Sequence, residues 1–168
     1  MFSLVFPGQG SQSVGMGAEL YKNFSYIKDL FNKADEILGL DLTKIILEGP
    51  KENLDLTEFT QPAIFLVSYS IFEVIKNETK LDFLKAKYFA GHSLGEYSAL
   101  ACSGAIKFEN AIKLLQKRGK AMQMSMPKGK GGMIAILGSD IDKIKNLLIE
   151  NENKYKCYIA NDNSVGQI

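Results

Sequence analysis

The apolar positions of the chain fall into two periods, and the switches between them mark its elements. The opening run Met1-Phe2-Ser3-Leu4-Val5-Phe6 reads as a buried strand halted by Pro7-Gly8. A helical stripe of Ile27, Leu30, Phe31, Ala34, Ile37 and Leu38 follows, capped by Ser25 and ended by Gly39. Asp41 caps a short helix through Ile45, Ile46 and Leu47, closed by Gly49-Pro50. Thr60-Gln61-Pro62 then opens a longer helix, with Thr60 as cap and Pro62 in the first turn. Its residues from Ile64 to Ile75 are apolar nearly all round, which predicts burial on several sides. Lys87–Ala90 is a second strand, Glu96–Cys102 a helix stopped by Ser103-Gly104, and Phe108–Met124 an amphipathic helix with Ala111, Leu114, Leu115 and Met122 inward.

Pro127-Lys128-Gly129-Lys130-Gly131-Gly132 is the clearest boundary, a hinge-like linker. Beyond it the pattern predicts a β-α-β unit: strand Met133–Leu137, helix Ile141–Glu150 with Ile144, Leu147 and Leu148 inward, and strand Lys156–Ala160. A turn at Asn161–Ser164 follows. The fold class is therefore α/β, in two parts, 1–126 and 127–168. Before the hinge only Ser3–Phe6 and Lys87–Ala90 suit a parallel sheet, too few for a closed core under so many helices.

Composition narrows the function classes. The 168 residues are 46% hydrophobic, as in an ordinary globular domain, and 20 Lys+Arg against 19 Asp+Glu leave a net charge of +1. That balance argues for neither nucleic acid nor an anionic membrane as partner. The longest apolar stretch, Ala63 to Ile75, is interrupted by Ser68, Ser70 and Glu73 and falls short of a membrane span. The amino terminus lacks the basic start of a secretion signal. Cys102 and Cys157 are far apart and no histidine cluster accompanies them, so no metal site is expected and both read as reduced cysteines of a soluble, cytoplasmic protein.

The chemistry centres on Gly91-His92-Ser93-Leu94-Gly95, lying between a predicted strand and a predicted helix. This is the pattern of a nucleophile elbow: glycines two residues either side of the serine permit a sharp turn that lifts its hydroxyl clear of the sheet. The N–H groups of the helix beginning at Leu94 point toward a developing negative charge. Both features serve acyl transfer. His92 is the sole histidine, and neighbouring residues of an extended strand face opposite ways, so it is expected to pack beside the elbow rather than act as base. The loop Pro7–Gln12, at a strand's carboxyl end, lacks the Lys-Ser/Thr of a phosphate loop and is better suited to lend a backbone N–H. Arg118 lies on the inward stripe of its helix, and Gly119 beside it leaves room for close approach. A buried guanidinium requires an anion, an internal Asp or Glu or a substrate carboxylate, unless its stem snorkels back to water.

With these residues in view, the chain resembles the malonyl-CoA:acyl carrier protein transacylases of fatty acid synthesis. The matching signatures, in order, are Phe6-Pro7-Gly8-Gln9-Gly10-Ser11-Gln12, Thr60-Gln61-Pro62-Ala63, Gly91-His92-Ser93-Leu94-Gly95-Glu96 and Arg118-Gly119. The resemblance implies a hydrolase-like parallel-sheet core and half of a ferredoxin-like small subdomain. It implies Ser93 as nucleophile, the N–H groups of Gln9 and Leu94 as oxyanion hole, Arg118 as the binder of the malonyl carboxylate, and Gln61 near the pocket. Malonyl-CoA and acyl carrier protein would be substrates, with no cofactor. The family is longer, and its histidine base lies after the point matching Ile168, so residues 1–168 alone are expected to be inactive and to leave open strand edges. A smaller departure is Val165, where the family usually reads Asn-Ser-Pro. A serine esterase or thioesterase, and a non-catalytic module binding the carrier protein, are the alternative readings.

Overall fold

Strand β1 (Phe2–Phe6) runs parallel to strand β2 (Ala86–Gly91), and their carboxyl ends finish level with one another. In this computed structural model, which describes residues 1–125 and 130–168, the register pairs Ser3 with Tyr88, Leu4 with Phe89, Val5 with Ala90 and Phe6 with Gly91. Side chains alternate across the ladder. Leu4, Phe6 and Phe89 pack with Phe72, Phe83, Ala99 and Cys102, whereas Val5 and Tyr88 are exposed. The first strand is therefore buried on one face only, not on both as its apolar run suggests.

Between the strands the chain makes five helices, α1 (Ala18–Asn23), α2 (Ser25–Leu38), α3 (Leu42–Leu47), α4 (Lys51–Leu54) and α5 (Thr57–Glu78), and a 3₁₀ turn at Phe83–Lys85. After β2 come α6 (Leu94–Cys102) and α7 (Phe108–Ser125). The main core joins α2, α5 and α7 through Ile27, Phe31, Phe65, Leu66, Ile112 and Leu115, all fully buried. Asp41 caps α3 as expected, its carboxylate accepting from the Lys44 N–H at 2.9 Å. At α2 the cap position falls to Phe24, and Ser25 is the first helical residue.

Helix α5 starts four residues earlier than a Thr60 cap implies, its cap falling at Leu56, and Pro62 lies inside it. The Leu56 carbonyl accepts from both Phe59 and Thr60 at 2.8 Å and so closes the first turn. The Thr60 hydroxyl donates back to the Leu54 and Leu56 carbonyls instead of capping. Pro62 has no N–H for the Glu58 carbonyl, a loss tolerated because everything from Thr60 to Ser68 is locked in the core. In α7 the inward residues are Phe108, Ala111, Ile112, Leu115 and Gly119; Leu114 is exposed, correcting the stripe read from the sequence, and Met122 is 43% exposed with its sulfur turned inward.

The chain divides into two compact units, Met1–Pro127 and Lys128–Ile168. Residues 126–129, which include positions 127–129 of the hinge-like segment, lie outside the described residues. In the second unit, α8 (Ile141–Glu150) forms where expected, with the Asp140 carboxylate capping the Asp142 N–H at 2.8 Å; Ile144 is buried and Leu147 is exposed. Neither Met133–Leu137 nor Lys156–Ala160 forms a strand. Only isolated antiparallel bridges occur among the described residues there, Leu137 with Gln167 and Ser164 with Gln167, supported by reciprocal bonds between Ile136 and Ile168 at 2.8 and 3.1 Å. A strand exists through its ladder, and among the described residues Lys156–Ala160 has no ladder partner, so Tyr158 stands 84% exposed. No helix among the described residues is long and apolar enough to cross a membrane.

The packing makes a direct stability prediction. Leu66→Ala removes a fully buried side chain between helices and should lower the unfolding free energy by about 2–5 kcal/mol. Leu84→Ala, at a residue 96% exposed, should change it by less than about 0.5 kcal/mol. Urea unfolding followed by far-UV circular dichroism distinguishes the two; equal losses would refute the assigned core.

Candidate active site

The level ends of β1 and β2 place the loop Pro7–Gln12 beside the turn His92-Ser93. Among the described residues Ser93 is the only non-glycine with positive φ, at φ 57° and ψ −116°. Such a conformation costs about 1–3 kcal/mol and persists only where the surroundings enforce it. Here the enforcement is steric. A Cβ on Gly95 would sit 2.5 Å from the Phe6 carbonyl oxygen and 2.7 Å from that of Pro7, and a Cβ on Gly91 would overlap the Gly95 carbonyl. Neither glycine has positive φ. Their role is to allow backbone to touch backbone, while the serine itself carries the strained turn. The Gly95 N–H donates to the His92 carbonyl at 2.9 Å and Glu96 to the Ser93 carbonyl at 3.2 Å, launching α6 directly from the serine.

His92 is exposed, not packed as its lone position in the sequence suggests. Its backbone carbonyl and ring lie over Gly8, where a Cβ would meet the carbonyl oxygen at 3.1 Å and Nδ1 at 3.4 Å. Across this contact the loop carries Gln9, whose side-chain amide donates to the Thr57 hydroxyl at 3.4 Å, and Ser11, whose hydroxyl donates to the Gly8 carbonyl at 2.9 Å. Among the described residues neither the Gln9 N–H nor the Leu94 N–H donates to a protein acceptor.

From the other side, α7 delivers Arg118. One terminal nitrogen donates to Gln61 Oε1 at 2.7 Å and the other to Ser93 Oγ at 3.0 Å, so residues 57 and 25 positions apart converge on one guanidinium. Arg118 is half-buried, and no carboxylate pairs with it among the described residues. Gln61, on α5, is 1% exposed; its amide nitrogen donates to the Met122 thioether at 3.1 Å, which fixes the amide orientation with its oxygen toward Arg118. The space beside Gly119 is taken by α5 itself: a Cβ there would lie 2.6 Å from the Thr57 carbonyl oxygen and 2.7 Å from Glu58 Cα. Met122, read from the sequence as part of the inward stripe with Arg118, has a role that sequence reasoning missed, as the acceptor that orients Gln61. Its signal is the spacing of four from Arg118, which sets both on one helix face.

Ser93, Leu94, Arg118 and Gln61 thus meet at one place, with Gln9 on the adjoining loop. The arrangement offers a serine oxygen at the mouth of a helix, unclaimed backbone donors, and a cation whose partners are all neutral. Such a set suits attack on a carbonyl of a substrate bearing an anionic group. A groove of about 800 Å³ elsewhere, lined by residues including Tyr26, Tyr69, Glu73 and Lys107, contains none of these residues.

The sequence matches the family described as "Acyl transferase domain" over residues 3–166. It is 45% identical over 167 residues to the malonyl CoA-acyl carrier protein transacylase of Haemophilus influenzae, covering 99% of this chain and 53% of the relative. Among solved structures, the acyl-carrier-protein-S-malonyltransferase of Bartonella henselae superposes with a TM-score of 0.90 at 39% identity, covering 99% of this chain and 54% of that one. A malonyl-transacylase in complex with its type II PKS acyl-carrier protein gives 0.88 at 42% identity, covering 99% and 53%. The chain spans about half the length of the relatives it matches.

Cys102, on α6, is the buried thiol nearest in sequence to Ser93. Burial, reinforced by the Glu73 carboxylate, pushes it up from 9.0 to about 12. At pH 8 its thiolate fraction is about 10⁻⁴, so an alkylating reagent should modify exposed Cys157 and spare Cys102 until the protein unfolds. Because the folded value is the higher one, this thiol's contribution to stability is complete below pH 9.0 and is lost as pH rises toward about 12. Peptide mapping after native alkylation, and melting curves across that range for the parent and Cys102→Ala, check both statements; rapid native labelling of Cys102 would contradict the buried placement.

Proposed function

The chain belongs to the acyl transferase domain family, and from that premise we propose that it carries the nucleophile and substrate-selecting half of a transferase moving a malonyl group from coenzyme A to the thiol of acyl carrier protein. The observation that carries the reading is the 3.0 Å contact between the Arg118 guanidinium and Ser93 Oγ, which sets a carboxylate-binding cation beside a serine at a strained elbow. Malonyl-transacylase names among the relatives, and an acyl-carrier-protein complex among the similar structures, support the substrate pair.

In the proposed reaction Ser93 Oγ attacks the thioester carbonyl and loses its proton, the oxyanion is held by the N–H groups of Gln9 and Leu94, and the coenzyme A thiolate leaves with a proton returned. The carrier thiol then attacks the Ser93 ester and restores the serine. Each oxyanion donor of this kind is worth about 3–4 kcal/mol of barrier. The malonyl carboxylate takes the Arg118 nitrogen that now donates to Ser93 Oγ, which frees the hydroxyl as the substrate arrives, while Gln61 keeps the other nitrogen in place. The base is assigned to the histidine that the family carries in its second half. His92, the sole histidine of this sequence, makes no hydrogen bond to Ser93 among the described residues. No cofactor takes part in this scheme.

The same reading assigns the first unit to a hydrolase-like sheet begun by β1 and β2 and the second to part of a ferredoxin-like subdomain, with Met133–Leu137 and Lys156–Ala160 as its strands once a neighbouring strand supplies their ladder. The expected compartment is the cytoplasm, in keeping with two unpaired cysteines.

Brief exposure to malonyl-CoA of a complete enzyme, this chain joined to the family's second half with its histidine base, followed by intact-mass measurement, should give an acyl adduct that Ser93→Ala abolishes; an adduct persisting in the mutant removes Ser93 from the scheme. Arg118→Ala should reduce malonyl transfer by about 10²-fold and acetyl transfer far less, because acetyl has no carboxylate to lose. Equal losses with the two acyl groups would make Arg118 structural.

A further inference from the structure

Gln12 lies outside the reacting groups, yet it makes the most complete set of contacts on the β1–α1 loop. Its Oε1 accepts the Gly10 N–H at 2.8 Å, and its Nε2 donates to Asp55 Oδ1 at 2.9 Å. The second Asp55 oxygen pairs with Lys51, one turn earlier on α4. Lys51 first, and Gln12 after it, hold the Asp55 carboxyl below the usual carboxylate range, so the acceptor stays ionised through neutral and mildly acidic pH. Asp55 stands two residues before Thr57, the start of α5, to which the Gln9 side chain also donates. The loop is therefore tied from the α4–α5 junction at two points.

The tie bears on Gln9 through covalent geometry. The Gly10 N–H belongs to the rigid peptide plane that follows Gln9, so an acceptor clamped on it restricts rotation at Gln9. On the other side Gly8 is pressed against the His92 carbonyl. The Gly8 carbonyl, in the same peptide plane as the Gln9 N–H, also accepts from the Ser11 hydroxyl at 2.9 Å, so the Gln9 N–H is held from the Gly8 side by these contacts and from the Gly10 side by Gln12. We propose that Gln12, anchored by Asp55, is the positioning residue that aims the Gln9 N–H at the oxyanion formed on Ser93. This rests on the acyl-transfer reading above. A donor displaced by about 1 Å loses much of its effect, because it must meet the oxygen where charge develops.

The test uses the complete enzyme, this chain joined to the family's second half with its histidine base. Steady-state malonyl transfer and acylation of Ser93 are measured together with amide hydrogen exchange at Gly10. Gln12→Ala should lower kcat about tenfold, a fraction of what a lost oxyanion donor costs, with KM within about twofold, and should speed Gly10 exchange at least about fivefold. Asp55→Ala should act in the same direction, whereas Asp55→Asn, which keeps the acceptor for Gln12, should retain parental kcat. The double variant Gln12→Ala/Asp55→Ala should be no slower than Gln12→Ala, since both remove one tie. Parental kcat in a folded Gln12→Ala, a loss confined to KM, Asp55→Asn as damaging as Asp55→Ala, or unchanged Gly10 exchange each overturns the proposal. If the parent itself is never acylated at Ser93 while Gly10 exchange still responds to Gln12→Ala, the acyl-transfer reading fails, and the catalytic role of Gln12 with it.

Discussion

The close approach of the first turn of α6 to the end of β1 is the constraint on which the site depends. Gly95 lies so close to the Phe6 and Pro7 carbonyls that any side chain would force the helix away from the sheet. Without this glycine, α6 would retreat and the turn at Ser93 would relax toward ordinary φ values. Parallel pairing of β1 with β2 supplies the other half of the constraint, because it ends both strands at the same level and sets loop against elbow. One backbone contact thereby holds a strained serine, a helix terminus and a loop with a free N–H in one place.

A second close approach sets the cation. Gly119 packs on the backbone of Thr57 and Glu58, which brings α7 against the first turn of α5. Arg118 is the adjacent residue on that helix, and the same α5 turn leads to Gln61 and begins beside the loop carrying Gln9. Moving α7 outward by the width of a methyl group would therefore shift the guanidinium relative to both of its acceptors. The early start of α5, ahead of its proline, is part of this arrangement: Thr57 and Glu58 must already be helical to receive Gly119.

Charge pairs contribute little to holding these helices. Lys33 with Glu109 and Lys51 with Asp55 are both substantially exposed, where an isolated pair gives at most about 1 kcal/mol. Stability comes instead from the apolar seam of Phe31, Phe65, Leu66, Ile112 and Leu115. The site is built on the rim of that seam, with its polar groups half-exposed and its supporting residues buried. Such a division lets Ser93 and Arg118 meet a ligand without disturbing the packing beneath them.

The sequence alone determined the local features: two strands ending in glycine-rich turns, a serine between glycines at a strand-to-helix junction, the Asp41 cap, and an arginine on the α7 helix. These depend on neighbours within a few residues, which is what periodicity and turn chemistry report. Tertiary structure decided whatever depends on partners distant in the chain. It set Thr57 and Glu58, already helical, against Gly119, turned Leu114 outward, and left His92 exposed against Gly8. It also withheld strand status from Lys156–Ala160, whose composition suits a strand but which has no ladder partner among the described residues. The meeting of Arg118, Gln61 and Ser93 belongs to the same class. Each residue could be singled out on its own helix or turn, but only the packing of α7 on α5, permitted by the missing side chain of Gly119, brings them within hydrogen-bond distance.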